Sequence, residues 1–232
     1  NATFPHTVPA TTAAESKDER ERLFVMLRDQ TGHDFSLYKD ATISRRIMRR
    51  MIMNGIDNET DFVRKLQQSP TEIEALWKEF LIRVTQFFRD PEVFETLQDT
   101  VIPALMSGKG RDEEFRIWVP ACSTGEEAYS IAMLMCESLD RMEGKRDVQI
   151  FATDIDQTAL ETARAGIYPE SIVSDVSKER LTRFFDKTKN TYVVGKELRR
   201  MLVFSNHDVI KDPPFSRMDL VSCRNLLIYM KD

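Results

Sequence analysis

The stretch PACSTGEEAYSIA, Pro120 to Ala132, carries the most chemistry per residue in this 232-residue chain. It follows the apolar run FRIWVPAC and ends in a helical pattern, so it reads as a strand turning through glycine into a helix. Such a turn exposes backbone N–H groups beside a ligand crevice, and the glycine permits close approach. Ser123 with Glu126 and Thr124 with Glu127 also fit capping boxes, which account for the same residues without any ligand. The turn lacks G-x-G-x-x-G, and its acidic residues repel phosphate while suiting a cationic or hydroxyl-rich ligand. The second element is FATDID, residues 151–156, a strand with an acidic end. An acidic residue closing the second strand of such a unit accepts hydrogen bonds from ribose hydroxyls. Asp154 is the candidate; its competing role is N-cap of the next helix, which Asp156 fills equally well. Together the two elements point to a nucleoside ligand, and the missing phosphate glycines favour S-adenosylmethionine over a dinucleotide.

Two further stretches fit the same region. RVTQFFRDPEVF, residues 83–94, sets Thr85 and Arg89 around two adjacent phenylalanines; the bland alternative is a core-packing helix with a surface arginine. SCRNLLIYM, residues 222–230, reads as an apolar strand followed by Cys223, Arg224 and Tyr229. Polar groups at the carboxyl end of a strand sit where open α/β sheets bind ligands, although a buried strand with an incidental Arg–Asn pair explains them too. A hydrolase built on Cys122 or Ser123 is a weak competitor, because His6, His33 and His207 form no recognisable partner motif with that turn.

The elements that must hold these residues fall into three segments. Residues 1–16, NATFPHTVPATTAAES, have little to bury and read as a disordered linker, in the manner of a chain cut from a longer protein. Residues 17–85 are helical in pattern, forming an all-helical N-terminal subdomain. Leu23, Val25, Met26 and Leu27 lie near one stripe; Ile43, Ile47 and Met51 repeat at helical spacing before Gly55; Phe62 and Leu66 share a face ended by Pro70. Asp90-Pro91 starts a helix carrying Phe94, Leu97 and Val101 and ending before Pro103. From residue 86 onward strands alternate with helices: FRIWVPAC, VQIFATDID, MLVFSNHDV and DLVSCRNLLIYM against STGEEAYSIAMLMCESL and QTALETARAGIY, the last closed by Gly166. Alternation of this kind implies an α/β fold with a parallel, doubly wound sheet.

Composition narrows the class. A net charge of −5 disfavours a general nucleic-acid binder. No apolar run approaches the roughly 20 residues of a membrane span, and no signal peptide is visible. Cys122, Cys136 and Cys223 are too widely spaced for a disulfide framework or a zinc site, and no other metal site is read, so a reducing cytoplasm is the expected compartment.

The motif series TQFFRDPEVF, ACSTGEEAYSIAM, FATDID, ARAGIY and CRNLLIY resembles, in order and spacing, that of the chemotaxis receptor methyltransferase (CheR) family over about residues 20–232. The resemblance implies a helical N-terminal domain and a class I, Rossmann-like S-adenosylmethionine methyltransferase domain with a small antiparallel β-subdomain inserted at about 168–204. It implies transfer of a methyl group to glutamate side chains of chemoreceptors. It makes Thr85 and Arg89 neighbours of the cofactor's reactive sulfur, and Glu127, rather than Glu126, a cofactor contact. Asp154 becomes the ribose ligand. Asp208, with Val209, stands beside the adenine where the family often has Asn. Cys223 and Arg224 match the segment beneath the cofactor, and Tyr229 the tyrosine near the transferred methyl group. Where the family commonly has Asn, this chain has Arg83, to which no cofactor contact is assigned. The family domain normally continues past LIYM into elements that complete the sheet, so the methyltransferase domain, 86–232, is read as C-terminally incomplete.

The implied reaction is an in-line displacement at a sulfonium methyl, with Arg89 and Tyr229 positioning the substrate carboxylate. Arg45, Arg46, Arg49 and Arg50 in SRRIMRR make a basic face at i, i+4 spacing on an acidic protein. By analogy the partner is the cytoplasmic helical bundle of a receptor; a merely solvated helix face is the alternative. Members that grip a receptor's C-terminal peptide share a longer, glycine-bearing loop in the inserted subdomain, whereas DKTKNT here is short and glycine-free, so tethering is not expected. Two competing readings remain: another S-adenosylmethionine methyltransferase, and a non-catalytic S-adenosylmethionine-binding regulatory module of a larger signalling protein.

Overall fold

The computed structural model describes residues 13–81, 84–110, 113–141 and 146–231. Two compact units divide the chain: one runs up to Leu81 and includes Ile228–Asp232, the other is Ile82–Leu227.

The first unit holds α1 (Ala13–Thr31), α2 (Asp40–Asn54), α3 (Glu59–Gln68) and α4 (Pro70–Phe80). Helix α1 therefore takes in residues 13–16 of the stretch read as a linker; residues 1–12 lie outside the described residues. Leu23 and Leu27 are buried, but Val25 is 44% exposed. At about 100° per residue, positions 23 and 27 stack on one face and 25 points away, so the expected stripe is narrower than read. Ile43, Ile47 and Met51 line the buried face of α2, and Gly55, in the left-handed region at φ 65°, closes it. The Ser69 hydroxyl accepts the Glu72 N–H at 3.3 Å with Pro70 at the first helical position, so Pro70 begins α4 as well as ending α3.

The second unit opens with α5 (Pro91–Thr96), a wide π-turn over Leu97–Val101 and α6 (Ile102–Gly108). The helix does not stop before Pro103. Proline lacks the N–H that an α-helical turn needs and crowds the carbonyl four residues back. The turn instead widens, with the Ile102 N–H reaching back to the Leu97 carbonyl.

There follow β1 (Phe115–Pro120), α7 (Glu126–Leu139), β2 (Val148–Asp154) and α8 (Gln157–Ala165). Every residue of α7 from Ala128 to Cys136 is buried, as expected of a helix packed on all sides. An antiparallel insert comes next: β3 (Ile167–Pro169), α9 (Lys178–Phe184), β4 (Phe185–Lys187) and β5 (Thr191–Val194), in the order β3-β5-β4. The β4–β5 hairpin turns at Thr188, whose N–H donates to the Thr191 carbonyl at 2.9 Å. Helix α10 (Lys196–Met201) then leads to β6 (Leu202–Asn206), which pairs in parallel with β2, so 202–204 belong to the main sheet rather than to the insert.

The last strand, β7, is only Leu220–Val221; Leu227–Tyr229 forms a 3-10 turn, not the continuous strand read from DLVSCRNLLIYM. The main sheet is parallel throughout, ordered β6-β2-β1-β7. The chain moves outward from β1 through β2 to β6 and then crosses to the far side for β7. That reversal makes the carboxyl ends of β1 and β7 the topological switch point, the place where an open α/β sheet leaves a crevice.

Candidate active site

The crevice is lined by the turn after β1. Ala121 (φ 55°), Ser123 (φ 50°) and Gly125 (φ 97°) all adopt left-handed conformations there. Strain of this kind, about 1–3 kcal/mol per non-glycine residue, persists only where the surroundings over-determine it. Here they do: the Cys122 N–H donates to the Thr153 carbonyl at 3.0 Å and the Ser123 N–H to Asp154 Oδ2 at 2.7 Å, stapling the turn to β2. Gly125 is required twice over, because a Cβ at that position would lie 2.9 Å from the Ala163 Cβ on α8. Neither capping box forms. Gly125 is the N-cap of α7, and the Thr124 hydroxyl turns to Glu126 Oε2 at 2.7 Å.

Asp154 sits at the end of β2 as expected. Asp156 takes the N-cap role, accepting from the N–H groups of Thr158 (3.0 Å) and Ala159 (3.2 Å), so Asp154 is left for the crevice. Each Asp154 oxygen accepts one backbone N–H, from Ser123 and from Asp156 (2.8 Å), and keeps lone pairs for a ligand. Burial pushes its pKa up against those two hydrogen bonds. Glu127, at the start of α7, accepts the Ser222 hydroxyl at 2.7 Å and lies 3.5 Å from Arg224 Nη1. Burial raises its pKa too, opposed by Ser222, Arg224 and Arg89. Two carboxylates held partly desolvated at one crevice suit a ligand that brings positive charge and hydroxyls. The Ser123 hydroxyl is buried beside them with no hydrogen-bond partner among the described residues. The residues present therefore fit S-adenosylmethionine, which offers a sulfonium, an ammonium and ribose hydroxyls, and a phosphate-bearing cofactor would meet the wrong charge.

The FFRD turn supplies the other wall. Arg89 lies between two left-handed residues, Phe88 (φ 50°) and Asp90 (φ 59°), and its Nη1 donates to the Val84 carbonyl at 2.8 Å. Asp90 precedes α5, with Pro91 at the first helical position, yet its side chain makes no capping hydrogen bond. It accepts from Arg224 Nη2 at 2.8 Å instead. Thr85 is half-buried just upstream, and Arg83 lies outside the described residues. Asp208, buried after β6, accepts the Ile210 N–H at 2.9 Å, with Val209 half-buried beside it. Cys223 follows Ser222 and is half-buried.

The hydrolase reading fails on the same geometry. Cys122 is buried and its thiol is pushed well up in pKa by burial, with Asp154 adding to the shift, the reverse of an activated nucleophile. His207 is brought close, its backbone N–H donating to the Asp154 carbonyl at 3.1 Å, but its ring packs edge-on against Trp118 at 5.4 Å and beside Phe215, with Nε2 3.1 Å from the Pro213 carbonyl. Its role there is packing. Ser222, Asp90 and Ser123 are site residues that the sequence reading missed as contacts; only the polar run after β7 hinted at the first.

Tyr229 and the arginine row belong to the helical unit. The Lys39 N–H donates to the Tyr229 carbonyl at 2.8 Å and Tyr38 bridges Met230, so the segment bearing Tyr229 is fastened immediately before α2. Arg50 is committed within the unit: Glu72 holds it bidentate at 2.9 and 2.8 Å. Arg49 lies 3.6 Å from Glu79, Arg45 is exposed, and Arg46 is half-buried. Met48, Ile52 and Met53 on α2 are exposed alongside them.

A parallel sheet with acids at its switch point and no phosphate loop defines the class: an S-adenosylmethionine-dependent methyltransferase. Residues 83–232 match the family model described as CheR methyltransferase, SAM binding domain, and residues 18–81 match CheR methyltransferase, all-alpha domain. The chain belongs to the CheR methyltransferase family, with S-adenosylmethionine as methyl donor. It is similar to a chemotaxis protein methyltransferase of Borreliella burgdorferi, 30% identical over 94% of this chain and 79% of that protein. A chemotaxis protein methyltransferase of Listeria monocytogenes is 33% identical over 88% of this chain and 76% of its own length. An uncharacterized 104.1 kDa protein of Rhodobacter capsulatus is 41% identical over 85% of this chain, and the chain spans only 21% of that protein. Among the described residues no helix is long and apolar enough to cross a membrane.

Proposed function

We propose that this protein is a glutamate O-methyltransferase that esterifies side chains in the cytoplasmic helical region of chemoreceptors. The observation that supports it most directly is the convergence of Asp154, Glu127 and the Arg89 turn on one crevice, in a chain whose relatives include chemotaxis protein methyltransferases. Asp154 binds ribose hydroxyls, Glu127 faces the cationic end of the cofactor, and Asp208 with Val209 borders the adenine. Thr85, Cys223 and Arg224 complete the lining. When bound, S-adenosylmethionine supplies a methyl carbon activated by its sulfonium.

A glutamate side chain, with reference pKa near 4.3, is ionised at neutral pH, so no general base is needed. Held by these residues, the cofactor would supply the methyl group that a carboxylate oxygen accepts. The protein's work is orientation and exclusion of water. Arg89 donates through its guanidinium to hold the carboxylate in line, and the family motif assigns Tyr229 a role in the reaction through its phenol. Arg45, Arg46 and Arg49 on α2 form the docking face for an acidic helix, with Met48, Ile52 and Met53 adding apolar area; Arg50, held by Glu72, contributes to the fold. A cytoplasmic location follows from this partner.

The test is methyl transfer from tritiated S-adenosylmethionine to a chemoreceptor cytoplasmic fragment, followed by alkali. Glutamate esters release volatile methanol. Label that stays on the protein after alkali would exclude ester formation. A second reading is favoured by the 21% span of the Rhodobacter capsulatus relative: a cofactor-binding regulatory module within a longer signalling protein. It predicts cofactor binding with no transfer to any receptor fragment.

A further inference from the structure

Arg224 does more than line the crevice. Its Nη2 donates to the Arg89 carbonyl at 2.7 Å and to Asp90 Oδ2 at 2.8 Å. The guanidinium lies over the Phe94 ring, 5.1 Å from its centroid, and the side chain is 15% exposed. Its Nη1 is buried and makes no hydrogen bond among the described residues, facing Glu127 Oε2 at 3.5 Å. One planar cation thus joins three elements: the turn that carries Arg89, the first turn of α7, and the end of β7.

The turn it grips is itself strained. Phe88 and Asp90 are both left-handed, and neither is glycine. On the Phe88 side the turn is held by Ser130, whose Oγ accepts the Phe88 N–H at 3.1 Å, and by the Arg180 guanidinium stacked 4.3 Å over the Phe88 ring. On the Asp90 side Arg224 holds it, alongside the Val93 N–H, which donates to the Asp90 carbonyl at 2.9 Å. Asp90 would ordinarily cap α5, but its carboxylate is spent on Arg224. Aspartate tolerates the left-handed region, so what marks Asp90 is its carboxylate's diversion from capping to Arg224. Together with the Arg224 bond to the Arg89 carbonyl, this fixes the backbone that carries Arg89, while the guanidinium itself is anchored on the Val84 carbonyl.

We propose that Asp90 and Arg224 form a clasp that positions Arg89 for methyl transfer, a role Arg224 carries in addition to lining the crevice. This rests on the reading above that Arg89 orients the substrate carboxylate. The clasp needs the forked geometry of arginine, because Nη2 serves the Arg89 carbonyl and Asp90 while Nη1 faces Glu127, two directions that a compact ammonium does not span from one point.

The experiment compares Asp90→Ala, Asp90→Asn, Arg224→Lys, Arg89→Ala and the double variant Asp90→Ala/Arg89→Ala. Methyl transfer to a chemoreceptor cytoplasmic fragment, affinity for S-adenosylhomocysteine by calorimetry, and amide hydrogen exchange over residues 86–92 are measured on each. Asp90→Ala should lower kcat at least tenfold while S-adenosylhomocysteine affinity stays within about threefold, with faster exchange across the turn; Arg224→Lys, which also borders the crevice, should lower kcat and speed exchange likewise. Asp90→Asn, which keeps an acceptor for Nη2, should recover most of the rate. In the Arg89→Ala background, Asp90→Ala should cost nothing further, since a residue acting through Arg89 has nothing left to act on. Additive losses in the double variant would overturn the clasp, as would unchanged exchange in both single variants. An intact rate in Arg89→Ala would instead sink the role assigned to Arg89 itself, and exchange across the turn would still report whether the clasp holds it.

Discussion

Replacing Asp154 by alanine is the sharpest test of the cofactor crevice. The carboxylate accepts the Ser123 N–H at 2.7 Å and the Asp156 N–H at 2.8 Å, so the substitution leaves two backbone donors without their acceptor. A buried donor left unpaired costs about 1–3 kcal/mol. Two circumstances reduce the sum: the crevice admits water, and burial already raises the carboxylate's pKa, so removing it relieves a desolvation cost. A net loss of about 2 kcal/mol lowers Tm by roughly 4–8 °C in a chain of this size. Affinity falls further. Two hydrogen bonds from ribose hydroxyls to a charged acceptor contribute at least about 1.5 kcal/mol each, together near 3 kcal/mol, or roughly a hundredfold in Kd. The assay is calorimetric titration with S-adenosylhomocysteine well below the variant's Tm, with circular dichroism as the check on folding. Asp156→Ala is the control: it removes the N-cap of α8, costing about 1 kcal/mol of stability, with affinity kept. If Asp154→Ala binds within tenfold of the parent, or if Asp156→Ala loses as much affinity, the assignment of Asp154 to the ribose is wrong.

Other outcomes follow from the same geometry. Glu127→Gln should stabilise the ligand-free protein and weaken S-adenosylhomocysteine binding. The Glu127 pKa is raised by burial, so the stability tied to its proton is fully present below the unfolded carboxylate pKa and is lost as pH rises through the folded one; the Tm gap between variant and parent should therefore open with increasing pH and vanish in acid. A gap that closes towards neutral pH would contradict this. Gly125→Ala combines a φ of 97° with a Cβ 2.9 Å from the Ala163 Cβ, and should cost about 2–4 kcal/mol, read as a fall in the denaturant midpoint at unchanged slope. Charge reversal at Arg46 and Arg49 should weaken methylation of the receptor fragment while S-adenosylhomocysteine affinity holds; equal loss of both would indicate misfolding. Tyr229→Phe should slow methyl transfer at least tenfold without changing cofactor affinity, checked by single-turnover kinetics.

What the sequence determined by itself is local. The strand-to-helix turn at 120–126, the acid at the end of β2, the glycine closures at Gly55 and Gly166 and the buried stripe Ile43-Ile47-Met51 all depend on residues within a few positions of one another, whereas the choice of Asp156 over Asp154 as the cap of α8 was left open. Short-range sterics and periodicity leave those elements little choice. The motif series also carried the family, because its order along the chain is itself a one-dimensional fact. What only the tertiary structure decided is which charged group captures which. Thr124 and Glu127 fit a capping box by spacing, but β7 beside β1 puts Ser222 and Arg224 within reach of Glu127, and the Ser222 hydroxyl takes an oxygen 95 residues away. The same holds for Arg50, which belongs to the basic face by periodicity and to Glu72 by packing. A partly buried charge is pinned by the nearest opposite charge, since leaving it unpaired costs more than any local preference. The strand order that brings such partners together is set by long-range packing that no window of the sequence displays.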